Sequence, residues 1–237
     1  MANIGIILGK SGSGKSTSLK TLNPEETVVF NVLKKRLPFK GSREIFNAEK
    51  NNFFNMDSLP DLMAYLQSIS DNAPQIKTVV IDDAIYLMRK EYFKRAKEAG
   101  YTKYTELAQH FQQLISVCEN MREDMNVFLL LHSEDVVSDN SIIEYKVSTI
   151  GKLLDSQYNP VEVVPIVLYS TVIYDEHGKA SYGFYTHRHK EGTTVIPAKS
   201  PDGMFDQDFI PNDLGAVVKA IDAYYNYVFS NQIKQNE

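Results

Sequence analysis

The 237-residue chain carries 25 Lys and Arg against 30 Asp and Glu, a formal net charge of −5, and 43% of it is hydrophobic. That is enough apolar material for one large α/β core, and too acidic a balance for a surface uniformly attractive to polyanions. The single cysteine, Cys118, excludes an intramolecular disulfide, and no apolar run reaches membrane-spanning length, so a cytoplasmic chain with no membrane partner is expected.

In chain order, Ile4 to Leu8 reads as a buried strand that runs into Gly9-Lys10-Ser11-Gly12-Ser13-Gly14-Lys15-Ser16-Thr17. A helix is expected from Ser16 to Leu22, before Asn23-Pro24 stops it. Strand, G-x-x-x-x-G-K-S loop and helix is the setting a phosphate-binding loop requires: glycines free the backbone so that successive N–H groups converge on phosphate oxygens. Lys15 would then reach the β and γ oxygens and Ser16 would ligate magnesium, with the loop from Gly9 to Thr17 binding a nucleoside triphosphate. Thr27 to Leu33 is a second buried strand, followed by a basic stretch holding Lys34, Lys35, Arg36, Lys40 and Arg43. Such a run is ordinarily a solvated face. Here Phe39 lies within it, and Tyr182 and Tyr185 lie near the later Arg188 and Lys190, a mixture of cations and rings that a single-stranded nucleic acid track needs.

Ser58 is placed to cap a helix with Leu62, Leu66 and Ile69 on its apolar side. Lys77 to Asp83 is a third strand ending in two acids. Asp82 is positioned to hold magnesium or Ser16. Asp83 has two readings, a base or water-positioning group beside a γ-phosphate, or the cap of a helix beginning at Ala84. Helices are expected over Ala84–Ala99 and Tyr104–Glu123, with Leu107, Phe111, Leu114 and Cys118 as one buried stripe. A fourth strand, Asn126 to Leu131, ends at His132-Ser133. His132 is either a γ-phosphate sensor, as in ATPases with an extra strand between the two motif strands, or a satisfied structural histidine.

Near-continuous apolar strands alternating with helices predict an α/β fold, a mostly parallel sheet covered on both faces, with ligands at the carboxyl ends of the strands. A β-hairpin is expected from about Val163 to Thr186, and Asn212-Asp213 should cap a last helix over 213–230, with an irregular polar tail from Asn231. The division is one domain, 1–237: a nucleotide-binding core over 1–133, a loop and hairpin region over 134–212, and the final helix.

The motifs "GKSGSGKST", "KRLPFKGS", "VVIDD", "LLLHS", "STIGKLLD", "AKSPDGMF" and "IPNDL", in this order, resemble the RecA-like P-loop ATPases that bacteriophages use in single-strand annealing and recombination, the Sak-type or phage AAA-domain nucleotide-binding proteins. The resemblance covers nearly the whole chain. It implies a RecA-like core, hydrolysis of ATP with magnesium, single-stranded DNA as polymer ligand, a homo-oligomeric ring or filament, a single-strand-binding protein as partner, and the cytoplasm of a bacterial host. Carried over by position, Lys15 and Ser16 bind phosphate and metal, Asp82 holds the metal and His132 occupies the sensor tip. RecA proper has a catalytic glutamate at the end of a core strand where this chain has Asn31, so either Asp83 does that work or hydrolysis is slow. A basic residue from a neighbouring subunit commonly completes such sites; Arg188, Lys190 and Lys199 are in the right late segment, and Lys199 is favoured. The segment from His132 to Pro160, where RecA-like proteins keep DNA-contacting loops, offers only Lys146 and Lys152 as basic residues. A nucleotide or small-molecule kinase and a non-hydrolysing ATP switch remain the alternatives.

Overall fold

The computed structural model describes residues 1–235, with the side chains of all but 155, 156 and 226–235. β1 (Asn3–Gly9) has every residue buried after the first, because it lies in the middle of a sheet with helices on both faces. A 3-10 helix (Ser16–Thr21) follows the glycine loop, then β2 (Thr27–Asn31), α1 (Ser42–Ile45), β3 (Phe53–Phe54), α2 (Leu59–Asn72), β4 (Thr78–Asp82), α3 (Ile85–Lys94) and α4 (Thr102–Glu119). The second half comprises β5 (Asn126–Ser138), β6 (Ser141–Val147), α5 (Lys152–Ser156), α6 (Pro160–Val163), β7 (Ile166–Tyr174), β8 (Ala180–Tyr185), β9 (His189–Glu191), β10 (Thr194–Ile196), β11 (Phe209–Pro211) and α7 (Leu214–Gln235).

The main sheet has the order β11-β8-β7-β1-β5-β4-β2-β3. From β7 to β3 all neighbours are parallel; β8 and β11 extend the edge antiparallel. This is the expected α/β fold with a mostly parallel sheet. Side chains alternate across it: Ile4, Ile6 and Leu8 of β1 and Val127, Leu129 and Leu131 of β5 join α2, α3 and α4 through Leu62, Leu66, Ile85, Phe111 and Leu114. On the other face Ile7, Phe128 and Leu130 meet Leu19, Leu22, Leu214, Val217 and Ile221 of the 3-10 helix, the turn after it and α7.

Four expectations change. The helix expected at Ser16 to Leu22 is a 3-10 helix of six residues. The Ser18 hydroxyl donates to the Lys15 carbonyl at 2.6 Å and its N–H is shared between the carbonyls of Gly14 and Lys15, a local bonding that tightens the turn in a Ser/Thr-rich segment. The fourth strand does not end at His132-Ser133. β5 runs on to Ser138, leaves the main sheet and forms a hairpin with β6, which β10 and β9 extend. So the segment after His132 begins as a β-arm rather than as a loop.

The hairpin expected near Val163 to Thr186 is β7–β8, turning through Gly178 in the left-handed region. Its first strand also lies parallel to β1 inside the main sheet, so that sheet continues well past residue 133. The last helix begins where expected, with the Asp213 carboxylate accepting the Ala216 N–H at 2.8 Å, and reaches Gln235, taking in most of the polar tail. Residues 236–237 of that tail lie outside the described residues.

Candidate nucleotide site

Parallel register brings the ends of β1, β2 and β4, and the point where β5 leaves the main sheet, to one edge: Gly9 is paired with His132, and Asn31 with Asp82. Since β5 separates β1 from β4, the glycine loop and the acidic tip flank the His132 tip across one strand. An open cleft of about 590 Å³ there is lined by Ser11, Gly12, Gly14, Lys15, Ser16, Thr17, Asp82, Asp83 and His132 together with Lys35, Arg36, Pro38 and Tyr182. A larger cleft of about 820 Å³ lies beside Asn3, Thr27 and Thr78, at the amino ends of β1, β2 and β4. It has no glycine loop and lies away from the strand ends where ligands of such sheets bind, so the smaller cleft is the candidate site.

Close packing shapes the loop. A side chain at Gly9 would meet the Ser170 carbonyl at 2.4 Å, and one at Gly14, whose φ is +102°, would meet Asn212 Nδ2 at 2.7 Å. The loop is thus held from behind by β7 and by the segment entering α7, and Ser170 Oγ also donates to the Ser13 carbonyl at 2.9 Å. Lys15 Nζ donates to the carbonyls of Gly9 and Lys10, both at 2.7 Å. Burial lowers its pKa to about 8 against the opposing pull of Asp83 and Asp82. Ser16 Oγ donates to Asp82 Oδ1 at 2.8 Å. Burial, and after it the charge of Asp83, push the Asp82 carboxyl up to about 6, in spite of the Ser16 bond.

Asp83 caps nothing with its side chain. The helix starts at Ile85 behind Ala84, with no side-chain cap. Asp83 sits instead at φ +60°, a left-handed conformation that turns the chain off the end of β4. Its Oδ1 lies 2.8 Å from His132 Nε2 and its Oδ2 lies 3.2 Å from Lys35 Nζ. Burial alone would raise this carboxyl; the His132 hydrogen bond and the Lys35 ammonium outweigh burial and hold it below the usual carboxylate range. An ionised carboxylate only accepts, so His132 Nε2 carries the proton between them. Two residues read separately in the sequence form one unit.

The other expected residues are dispersed. Lys10 turns away from the cleft, with Nζ 2.8 Å from Asp135 and 4.9 Å from the Tyr145 ring centre on the β-arm. Ser13 is buried, its Oγ without a partner. Lys34 pairs with Asp57 at 3.2 Å. Lys40 and Arg43 are exposed and outside the cleft. Lys199 is on the β7 side, exchanging backbone hydrogen bonds with Val167 at 2.8 Å, its Nζ donating to the Glu162 carbonyl; it is not part of this chain's own cleft.

Asn31, at the strand end where the resemblance to RecA implies an acid, is 1% exposed. Its side chain receives the Lys35 N–H at 3.3 Å and donates to the Lys35 carbonyl at 2.7 Å. Its amide therefore holds the turn after β2. Sequence reasoning assigned Lys35 and Arg36 to nucleic acid and missed them, and Tyr182, as residues of the nucleotide cleft. The signal for the first two was their place directly after the carboxyl end of a core strand, the edge where the other tips lie.

The family model of the AAA domain matches residues 1–196, from β1 through β10. The chain belongs to the AAA-domain family. No protein among the curated sequences matches it. The matched region of this AAA-domain P-loop protein includes the glycine loop, Asp82, Asp83 and His132, and leaves β11 and α7 outside. No helix among the described residues is long and apolar enough to cross a membrane.

The residues present fit a magnesium-bound triphosphate. Glycine-dependent backbone forms the loop, the Ser16 hydroxyl and the Asp82 carboxylate adjoin at its end, and Lys15 holds its ammonium on carbonyls it can exchange for phosphate oxygens. Magnesium bound there would neutralise charge on the β- and γ-phosphate oxygens.

Proposed function

We propose that this AAA-domain protein binds magnesium-ATP at the glycine loop and hydrolyses it, and that it uses the cycle as a homo-oligomer on single-stranded DNA in phage recombination. The observation that carries the enzymatic part is the division of labour between adjacent acids. Asp82 takes the Ser16 hydroxyl at 2.8 Å, while Asp83, facing the same cleft, is held by His132. Asp82 is thereby a metal-side ligand and Asp83 a kept-ionised acceptor that orients water toward the γ-phosphate. His132 fixes the Asp83 rotamer and Lys15 balances charge on the leaving diphosphate.

The DNA part rests on the motif order that resembles the phage ATPases and on the surface beside the site. A groove of about 470 Å³ adjoins the nucleotide cleft, shares Lys35 and Arg36 with it, and is lined also by Lys34, Arg43 and the half-buried Phe53 and Phe54, with the buried Phe46 beneath. Cations for phosphates and rings for bases are the chemistry of a single-strand track. Within an oligomer Lys199 would serve a neighbour's site and a single-strand-binding protein would be the natural partner; these belong to the resemblance.

Steady-state ATP turnover with and without a single-stranded oligonucleotide tests both parts. Magnesium-dependent hydrolysis that the oligonucleotide stimulates is the expected result. Nucleotide binding without turnover in either condition would overturn the enzymatic reading in favour of a switch, and turnover indifferent to DNA would remove the nucleic-acid part.

A further inference from the structure

The turn after β2 is more heavily built than a solvated basic loop needs to be. Asn31 grips the Lys35 backbone from both sides and also donates to Asn55 at 2.8 Å. Lys34 takes a left-handed φ of 59° and pairs with Asp57, which in turn accepts from Lys90 at 2.9 Å; Lys90 also donates to the Val32 carbonyl at 2.8 Å. Residues from β2, α3 and the segment before α2 therefore fix one turn, and what that turn presents is Lys35 and Arg36 to the cleft that holds Lys15, Ser16 and Asp82. Lys35 Nζ touches Asp83, yet its side chain is 61% exposed, so the ammonium is tethered but free to swing. Arg36 has no acid partner among the described residues.

We propose that Lys35, with Arg36 beside it, is the cation that meets the γ-phosphate of the bound triphosphate, supplied in cis from the turn after β2. The strand end at which RecA proper has an acid thus holds an amide whose work is to aim a cation. With a diphosphate, Lys35 stays on Asp83. With a triphosphate it bridges Asp83 and the terminal phosphate, compensating the repulsion between two anions that must come close for water to be oriented between them. The inference rests on the nucleotide-binding part of the proposed function, and its test distinguishes the two failures.

Isothermal calorimetry with ADP and with a non-hydrolysable ATP analogue, both with magnesium, reads the γ-phosphate contact without any turnover. If wild-type protein binds neither nucleotide, the site assignment itself fails. Given binding, Lys35→Ala should weaken the analogue by about tenfold or more, the loss of one charge-assisted contact, and change ADP by less than about twofold. Equal losses for the two nucleotides, or none, overturn the inference. The same pair of titrations in an Asp83→Asn background separates a direct contact from one relayed through Asp83: a selective loss that persists supports the direct contact, and one that disappears overturns it. Finally, mixtures of Lys35→Ala and Lys15→Ala chains should show no recovery of turnover over the better single variant. Recovery would mean that Lys35 serves a neighbour's site and would overturn supply in cis.

Discussion

His132 Nε2 lies 2.8 Å from Asp83 Oδ1, between the end of β4 and the point where the adjacent parallel β5 leaves the main sheet. The Tyr86 ring packs nearly perpendicular to the imidazole, 5.7 Å between centres, so the histidine is held on a second side. If Asp83 orients the attacking water, Asp83→Asn should leave ATP affinity within a few-fold and lower kcat by about a hundredfold or more. His132→Ala should lower kcat by about tenfold with KM little changed, because the carboxylate remains but loses its fixed rotamer, and His132→Gln, which keeps a donor, should recover part of that loss. Wild-type turnover in Asp83→Asn would reduce the pair to a structural contact.

Lys15 reaches back to two carbonyls of its own loop, and no other ammonium lies in the loop to replace it, since Lys10 is bound to Asp135. Lys15→Ala should therefore lower nucleotide affinity by about a hundredfold or more while leaving the melting profile of the nucleotide-free protein cooperative. Calorimetric titration with ADP measures the first and thermal unfolding the second. Unchanged ADP affinity would dismiss the glycine loop as the nucleotide site.

Much of this was legible because the apolar runs are long and their ends carry chemistry. "VVIDD" and "LLLHS" need only a parallel sheet to bring Asp82, Asp83 and His132 to one edge, and β1 to the same edge follows from the loop motif. What sequence left open was set by tertiary contact. That Asp83 does not cap α3 is set by a left-handed φ and by its contact with His132, 49 residues away. The course of β5 past Ser133 depends on pairing with β6 and β10, which no local periodicity announces. The place of β7 beside β1 is likewise a long-range fact, since the same residues read equally well as one arm of a hairpin. A charge run looks alike in sequence whether its ammonium groups face solvent or fold over a cleft; the turn that Asn31 holds through hydrogen bonds to backbone brings Lys35 and Arg36 to the cleft.

Asp82 is pushed up to about 6 from an ordinary 3.8. Between those values the folded chain binds a proton that the unfolded chain has released, so stability contributed by this group is present below about pH 4 and lost as pH rises through about 6, on the order of 3 kcal/mol. Asp82→Asn should abolish this component: the nucleotide-free variant is expected to gain stability relative to wild type as pH rises from 4 to 7, while its turnover falls and needs a higher magnesium concentration. Denaturant titrations across that range read the difference. A stability difference that stays constant with pH would show that the carboxylate is not strained by burial.

Cys118 lies fully buried on α4, and burial pushes its thiol up to about 12. The reactive thiolate is then about one part in ten thousand at pH 8, and solvent does not reach it. A disulfide reagent should label the native protein no faster than the chain opens, with the rate rising in step with denaturant-induced unfolding. Immediate stoichiometric labelling of the native protein would contradict the packing of α4 on the sheet.

The basic stretch offers fewer phosphate contacts than its composition implies. Lys34 is paired with Asp57 and Lys35 with Asp83, which leaves Arg36, Lys40 and Arg43 of the five cations without an acid partner among the described residues. Each phosphate neutralised on a single strand contributes about −0.7 to the slope of log affinity against log salt, so one chain should give a slope of about −2 rather than the −3.5 or so of five free cations. Alanine at Arg36, Lys40 and Arg43 together should bring that slope close to zero. Alignment of several chains on one oligonucleotide would repeat the patch and steepen both the slope and the dependence on protein concentration. Fluorescence anisotropy of a labelled oligonucleotide, recorded over a salt series with magnesium and either ADP or a non-hydrolysable ATP analogue, separates these terms. Because Lys35 and Arg36 line both the nucleotide cleft and the adjoining groove, the triphosphate state should change oligonucleotide affinity where ADP does not. Identical isotherms in the two nucleotide states, with a slope unaffected by the triple substitution, would detach the basic turn from nucleic acid and leave its cations to the nucleotide alone.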